Sequence, residues 1–158
     1  LCRASEVSAL RVRDLETGPD GASVRITRSK TDQTGQGAVA FVAPDTLARL
    51  QAWIVSASLE PGDPLFFSLS PASASNATLE PLSPRSVARI FKARLGAGFS
   101  SHSARVGAAK DALSQGISSA LIADAGRWKS ERMVLHYGQQ ERAQHSGAAV
   151  LARMQGRA

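Results

Sequence analysis

Apolar and polar residues alternate in two short stretches of this sequence and follow helical spacing in most of the others. The stretches at 22–28 and 38–43 each predict a strand. A polar, glycine-containing connection at 30–37 joins them, so we expect a β-hairpin. The preceding segment, 5–15, has apolar residues at roughly helical spacing and ends before the turn sequence Gly-Pro-Asp-Gly at 18–21.

Helical spacing continues through the rest of the chain, interrupted by serine, proline and glycine residues that begin or end helices. The predicted helices lie at 44–60, 83–95, 102–115, 118–125, 130–137 and 147–155. In the helix at 83–95, the predicted apolar face consists of Val87, Ile90, Phe91 and Leu95. Residues 68–84, rich in Ser, Ala and Pro, predict an exposed loop. The predicted fold class is mainly α with a small antiparallel β-hairpin or sheet.

The composition is that of one globular domain. The chain has 158 residues, 43% of them hydrophobic and 20% charged, so it is neither disordered nor a membrane protein. No apolar run approaches the roughly 20 residues that a bilayer-spanning helix needs. The single cysteine, Cys2, excludes an internal disulfide framework and fits a reducing compartment, so we expect a cytoplasmic protein.

Positive charge is concentrated in the second half of the chain. Residues 1–80 contain 7 Lys and Arg against 9 Asp and Glu, whereas residues 81–158 contain 12 against 4. A basic half of this kind typically faces a polyanion. A solvated basic face is the other interpretation of the same charge pattern.

His102 and Arg105 form a pair suited to binding an anion. They lie three positions apart on a predicted helix and face the same way, and serines before them cap the helix N-terminus. That end of a helix favours an anion, so the pair suits a phosphate; an ordinary structural role is the alternative. The three histidines, which include His136 and His145, lack metal-site spacing and cysteine partners, so we predict no metal site.

Tyr137 is the single tyrosine of the chain. A phenol has a pKa near 10, so it is a poor nucleophile unless cations surround it. On its own, a tyrosine that ends an apolar helix indicates ordinary core packing. The context is different here, because Gly126-Arg127-Trp128 precedes it by about ten residues and the His102 motif lies about 30 residues upstream.

Three motifs, in this order and spacing, resemble those of a known family. They are His102-Ser-Ala-Arg105-Val-Gly-Ala-Ala, Ala125-Gly-Arg-Trp128 and Val134-Leu-His-Tyr137. Near the front, the segment from Arg3 to Asp14 resembles the family's first-arginine segment, and Lys30 follows a predicted strand where the family keeps a lysine. The chain, over nearly its whole length, resembles the catalytic domain of the tyrosine recombinases, or phage integrase family.

The resemblance implies an enzyme that cuts and rejoins DNA without a metal, ATP or another cofactor. Tyr137 would attack a DNA phosphodiester, forming a 3′-phosphotyrosyl link and releasing a 5′-hydroxyl. Arg3 and Arg105 would hold the non-bridging phosphate oxygens. Lys30, on the hairpin turn, would protonate the leaving oxygen.

The resemblance also implies supporting roles in catalysis. His102 would assist proton transfer at Tyr137 or hydrogen-bond the phosphate. Trp128 stands where many members have a second histidine; its indole N–H donates but cannot accept, so it would be a hydrogen-bond donor to phosphate and a packing residue. Glu6 would orient Arg3 or the catalytic lysine, or it is a simple surface charge.

Further residues are expected to contact DNA. The helix at 83–95 corresponds to one that the family places in the major groove, and its candidate contact residues are Arg85, Arg89 and Lys92. Arg85 would read a guanine edge or contact phosphate only. Arg127 stands where a small residue or glycine is usual, and it would add a phosphate contact or crowd Trp128.

The segment after Tyr137 corresponds to the family's exchange element. Val150, Leu151 and Met154 would dock on a neighbouring protomer in a homotetramer assembled on double-stranded DNA, or they cover their own core. A monomer is expected for an isolated fragment.

The resemblance also predicts the domain organisation. Residues 1–158 are expected to be an N-terminally truncated C-terminal catalytic domain, without the N-terminal domain that clamps DNA. Two alternative functions remain. A type IB topoisomerase shares the chemistry but is not expected to share the Val-Gly-Ala-Ala run and the exchange tail. A catalytically inactive DNA-binding remnant of a prophage integrase is the other.

Overall fold

The computed structural model describes residues 1–27, 37–69 and 79–157, and over these residues it has eight α-helices and three β-strands. The strands are β1 Leu15–Gly18, β2 Gly21–Ile26 and β3 Ala38–Val42. The helices are α1 Ala4–Ala9, α2 Pro44–Ser56, α3 Pro84–Leu95, α4 Ser101–Ser114, α5 Ser119–Gly126, α6 Glu131–Tyr137, α7 Gln139–Gln144 and α8 Gly147–Met154. The chain divides into two compact units, residues 2–101 and Leu1 together with the residues from His102 onward.

The first unit contains the antiparallel sheet, with strand order β1-β2-β3. The two predicted strands pair as expected, with Val24 of β2 opposite Ala40 of β3. On its other side Val24 pairs with Leu15 of β1, a strand that the sequence did not predict. The predicted connection lies mostly outside the described residues, because 28–36, with Lys30, are not among them. The predicted class, mainly α with a small antiparallel sheet, is confirmed.

The predicted helix at 5–15 is wrong in its second half. α1 ends at Ala9, and a short 3₁₀ helix, Val12–Asp14, follows. Leu15 then begins β1 because the turn after Gly18 folds this segment back onto β2, and backbone pairing replaces a further helical turn. Weak helical spacing over eleven residues does not distinguish these outcomes.

The core of the first unit lies between the sheet and α2. Alternate residues of β2 face inward, so Ala22, Val24 and Ile26 are all buried. Leu10 and Leu65 pack against Val24, and α2 contributes partly buried apolar residues. Each fully buried side chain of this size contributes about 1.5–3 kcal/mol.

α3 begins as predicted, because the Ser83 hydroxyl accepts a hydrogen bond from the Ser86 N–H at 3.0 Å. The predicted apolar face is only partly correct. Val87 is buried, but Ile90 and Leu95 are about half exposed, at 47% and 50%. α3 packs against the six-residue α1, which covers a narrow strip of it.

The predicted exposed loop at 68–84 has paired ends. The Ser68 N–H donates to the Glu80 carbonyl at 2.9 Å, and the Leu82 N–H donates to the Phe66 carbonyl at 3.0 Å. Residues 70–78 lie outside the described part of the chain. Ile90 faces a cavity of about 460 Å³ beside these ends, which accounts for its exposure.

The second unit consists of α4 to α8. Its core is formed by five buried residues from α4, α5 and α6: Ala109, Leu113, Ile122, Ala123 and Val134. The predicted helices here agree with α4, α5, α6 and α8 to within two residues. α7 was not predicted, because its sequence, Gln-Gln-Glu-Arg-Ala-Gln, has almost no apolar residues to show a period. Over the described residues, no helix is both long and apolar enough to cross a membrane.

Candidate active site

Arg105 is a buried cation at the centre of the second unit. Only 5% of its surface is exposed. One terminal nitrogen, Nη2, donates to the carbonyl of Gly126, and the other, Nη1, donates to the carbonyl of Leu1. The guanidinium carbon lies 4.1 Å from the centre of the Trp128 ring. Burial of a charge is unfavourable unless it is hydrogen-bonded, so these contacts hold the guanidinium in one place.

The end of α5 explains how Trp128 reaches Arg105. Arg127 adopts the left-handed conformation, with φ of 54°, which terminates the helix and turns the chain back. The Trp128 N–H then donates to the Ala123 carbonyl at 2.9 Å, and its ring lies against Gly126. A Cβ at Gly126 would overlap that ring, so glycine is required by this close approach.

Tyr137 is the last residue of α6 and is partly exposed. Its ring centre lies 6.0 Å from that of His102, with the two rings nearly perpendicular, and 6.3 Å from that of Trp128. The neighbouring His136 ring lies 5.9 Å away. Because Trp128 also contacts Arg105, the second unit brings together four of the six predicted catalytic residues, Tyr137 and three others.

The first unit holds Arg3 and Glu6. Arg3 precedes α1, and its Nη1 lies 2.6 Å from Oε1 of Glu6. The backbone N–H of Arg3 donates to the other carboxylate oxygen, Oε2, at 2.7 Å. Glu6 is 1% exposed, so the alternative that it is a simple surface charge is wrong. The carboxylate instead fixes Arg3 by both its backbone and its side chain. Lys30 lies outside the described residues.

The predicted DNA-contacting residues of α3 form one exposed basic surface. Arg85, Arg89 and Lys92 line a cavity of about 290 Å³ on the first unit. Arg127, in the second unit, is partly buried, and its Nη1 donates to the Ala125 carbonyl at 3.3 Å.

The predicted exchange residues of α8 are all exposed. Val150 is 43% exposed, Leu151 is 50% and Met154 is 81%. The alternative that these residues cover their own core is wrong for Met154, whereas Val150 and Leu151 are each about half covered.

Several contributors to the site were not found from the sequence. Gly126 and His136 were each named within a motif, at 125–128 and at 134–137, and neither was given a role of its own. Lys110 of α4 and Glu141 of α7 form an ion pair, with Nζ and Oε1 at 3.3 Å. No local pattern indicates that pair, since its partners come from different helices. Among the described residues, no cluster of three or more His, Cys, Asp or Glu is placed to hold a metal ion.

Comparison with known proteins finds relatives among the recombinases. No protein-family model matches the chain. It is 30% identical over 155 residues to the recombinase Cre of Escherichia phage P1, covering 87% of this chain and 45% of Cre. It is 32% identical over 150 residues to an integrase/recombinase XerD homolog of Selenomonas ruminantium, covering 87% of this chain and 43% of that protein. The chain thus spans slightly under half the length of these relatives.

Solved structures share the fold. The XerA recombinase superposes with a TM-score of 0.65 at 16% identity, covering 96% of this chain and 51% of XerA. The XerH site-specific recombinase was solved bound to a palindromic difH substrate, as a post-cleavage complex. It superposes with a TM-score of 0.68 at 17% identity, covering 93% of this chain and 41% of XerH. The fold is thus that of these recombinases. The chain belongs to the tyrosine recombinase family.

Proposed function

We propose that this chain is the catalytic domain of a site-specific DNA recombinase and that Tyr137 is its nucleophile. The observation that carries the proposal is the assembly of His102, Trp128 and Tyr137 in the second unit, with the buried guanidinium of Arg105 stacked on Trp128. A tyrosine that only filled the core would not need a cation and a histidine beside it. The exposed side of Tyr137 leaves room for a DNA phosphate.

The cleavage step is a transesterification at phosphorus. The Tyr137 oxygen forms a bond to the phosphorus, and the bond from phosphorus to the 5′-oxygen of the next nucleotide breaks. The phenol proton leaves to a base, for which His102, with its ring centre 6.0 Å from that of Tyr137, is the proposed candidate, and the 5′-oxygen takes a proton from Lys30. Because the phosphotyrosyl link keeps the energy of the original diester, the reverse step rejoins DNA without ATP.

Charge that develops on the non-bridging oxygens needs fixed donors. Arg3 and Arg105 fill this role, each held in advance by carboxylate or carbonyl oxygens. Such preorganisation matters, since loss of one oxyanion donor typically raises a barrier by about 3–4 kcal/mol. Trp128 supports the guanidinium of Arg105, and its indole N–H is the expected additional donor to the phosphate.

Binding to DNA is proposed to use the basic surface of α3. Arg85, Arg89 and Lys92 project from one exposed helix, and phosphate contacts of this kind make affinity steeply salt-dependent. The XerH structure contains a DNA substrate, which supports double-stranded DNA as the partner. The exposed apolar residues of α8 support docking on a neighbouring protomer in a homotetramer on DNA. A cytoplasmic location remains a prediction.

The alternative, a DNA-binding remnant without activity, is not favoured. A remnant has no need to keep a buried arginine stacked on a tryptophan beside the tyrosine. Covalent capture separates the two functions. The chain is incubated with duplexes of randomised sequence that carry a nick, so that the short cut strand diffuses away after cleavage and the adduct is trapped. An enzyme gives a protein–DNA band resistant to SDS, and Tyr137→Phe abolishes it. Binding without any such band would establish the remnant.

A further inference from the structure

The segment directly after Tyr137 is anchored to α4 at an unusually close contact. Gly138 is buried at the junction between α6 and α7. A Cβ on this glycine would overlap the Leu113 side chain of α4, so that side chain packs directly against the backbone of Gly138. The Gly138 N–H donates to the Val134 carbonyl at 3.1 Å, and Val134 itself is fully buried in the core. Tyr137 is thereby fixed on both sides, by the buried Val134 before it and by the buried Gly138 directly after it.

An ion pair forms the next anchor along the chain. Glu141 lies four residues after Tyr137, and its Oε1 is 3.3 Å from Nζ of Lys110. Lys110 belongs to α4, the helix that also carries His102 and Arg105. The Glu141 side chain is only 19% exposed, so solvent screens this pair less than an exposed one. The pair thus links the chain beyond the nucleophile to the helix that bears two other site residues.

The state of Glu141 is consistent with this link. A hydrogen bond from its own backbone N–H, followed by that from Lys110, lowers the pKa of the Glu141 carboxyl, so the group is charged at neutral pH. Its second oxygen, Oε2, is buried and has no hydrogen-bond partner among the described residues. An oxygen in that state is unfavourable for stability. The charged Glu141 carboxylate at this position is better explained by the chain segment that it fixes to α4 than by a contribution to stability.

We propose that the Lys110–Glu141 ion pair is a positioning device that fixes Tyr137 beside the site residues of α4. The pair does not touch the reacting atoms and acts through the backbone of α7 and Gly138. This role rests on the proposed function of Tyr137. Catalysis at a fixed nucleophile is sensitive to small shifts, since a displacement of about 1 Å can lower a rate a hundredfold. An ion pair that only stabilised the fold would leave the place of the tyrosine unchanged.

The position of Tyr137 can be measured without any DNA. It is the single tyrosine of the chain, so replacement of tyrosine by 3-fluorotyrosine gives one ¹⁹F resonance that reports on this ring. We expect Glu141→Gln and Lys110→Met each to shift or broaden that resonance. The charge swap, Lys110→Glu with Glu141→Lys, is expected to return it toward the wild-type position. Asp45→Asn serves as the control, because it breaks the exposed Arg49–Asp45 pair of α2, 3.9 Å apart.

The effect on chemistry is measured at saturating nicked duplex in a single turnover. We expect each single variant to cleave about ten- to a hundredfold more slowly with an unchanged Kd for DNA, and the charge swap to recover most of the rate. Circular dichroism verifies folding. If one single variant is unfolded, the other single variant and the charge swap complete the test.

The outcomes separate the positioning role from the proposed function. An unchanged ¹⁹F resonance, or a shifted resonance with an unchanged cleavage rate, overturns the positioning role. If the resonance shifts in the variants but the wild-type chain forms no adduct, the proposed function is overturned. The structural link between the Lys110–Glu141 pair and the Tyr137 ring then stands. A shifted resonance, slow cleavage and recovery in the charge swap support both.

Discussion

The guanidinium of Arg105 lies 4.1 Å above the ring of Trp128. This contact joins α4 to the turn after α5, and it places a buried cation one ring away from Tyr137. Where many members of the family have a second histidine, this chain therefore has a residue that can both stack on the arginine and donate a hydrogen bond. The two contributions of Trp128 can be separated by substitution.

Trp128→Phe keeps an aromatic face under Arg105 but removes the indole N–H. We expect a loss of at most about 1 kcal/mol in the free energy of unfolding, because the cation–π contact persists in weaker form. Trp128→Ala removes the ring as well and is expected to cost about 3 kcal/mol. Urea unfolding measures both. A Phe variant as unstable as the Ala variant would show that the ring face does not support Arg105. Slower cleavage by the Phe variant reports the lost donor.

Gly126→Ala tests the close approach of the Trp128 ring. The added methyl group would overlap that ring, so the ring must move away from Arg105. We expect a loss of about 1–3 kcal/mol in the free energy of unfolding, together with loss of cleavage. Gly107→Ala is the matched control, since this helical glycine of α4 has nothing near its added methyl and the change should stabilise by about 0.5–1 kcal/mol. Equal effects of the two substitutions would contradict the packing described.

Arg127→Gly tests the left-handed turn that ends α5. A residue with a side chain is strained at φ of 54°, and glycine is not. We expect the free energy of unfolding of this variant, measured in urea, to be about 1 kcal/mol higher than that of the wild type. Ala48→Gly, in the middle of α2, provides the opposite control and should lose about 0.5–1 kcal/mol. If Arg127 also contacts phosphate, the slope of log affinity for DNA against log salt should fall by about one in magnitude.

The pH dependence of stability tests the Glu141 carboxyl. Its pKa is lowered in the folded chain from an ordinary value of 4.5, so its contribution to stability is fully present above that value. The contribution is lost as the pH falls through the lower, folded pKa. The wild type should therefore exceed Glu141→Gln in stability by a larger margin at pH 7 than at pH 3, measured by urea unfolding. A margin that does not change with pH would show that Glu141 and Lys110 do not interact as ions.

The sequence predicted the elements whose local signals agree with their final environment. The turn before Gly21 and the alternation in β2 specify the sheet, and the serine caps specify where α3 and α5 begin. β1 was missed because its four residues become a strand only by pairing with β2. α7 was missed because its sequence has almost no apolar residues to show a helical period.

The candidate site likewise contains residues that were predicted from the sequence and supporting residues that were not. The resemblance of three motifs to those of the tyrosine recombinases indicated His102, Arg105, Trp128 and Tyr137. The supports of these residues could not be predicted, because each depends on a contact between distant segments. The Gly126 contact with Trp128, the Gly138 contact with Leu113 and the burial of Glu6 are all of this kind.

The chemical identity of the covalent link shows directly whether Tyr137 is the nucleophile. Adduct from the nicked-duplex reaction is digested with nuclease and trypsin, and the modified peptide is sequenced by mass spectrometry. We predict a nucleotide joined through its 3′-phosphate to Tyr137 in the peptide of residues 133–142, and no adduct from Tyr137→Phe. A link to any other residue, a link through a 5′-phosphate, or an adduct that persists in Tyr137→Phe would contradict the role of Tyr137 as the nucleophile that forms a 3′-phosphotyrosyl link.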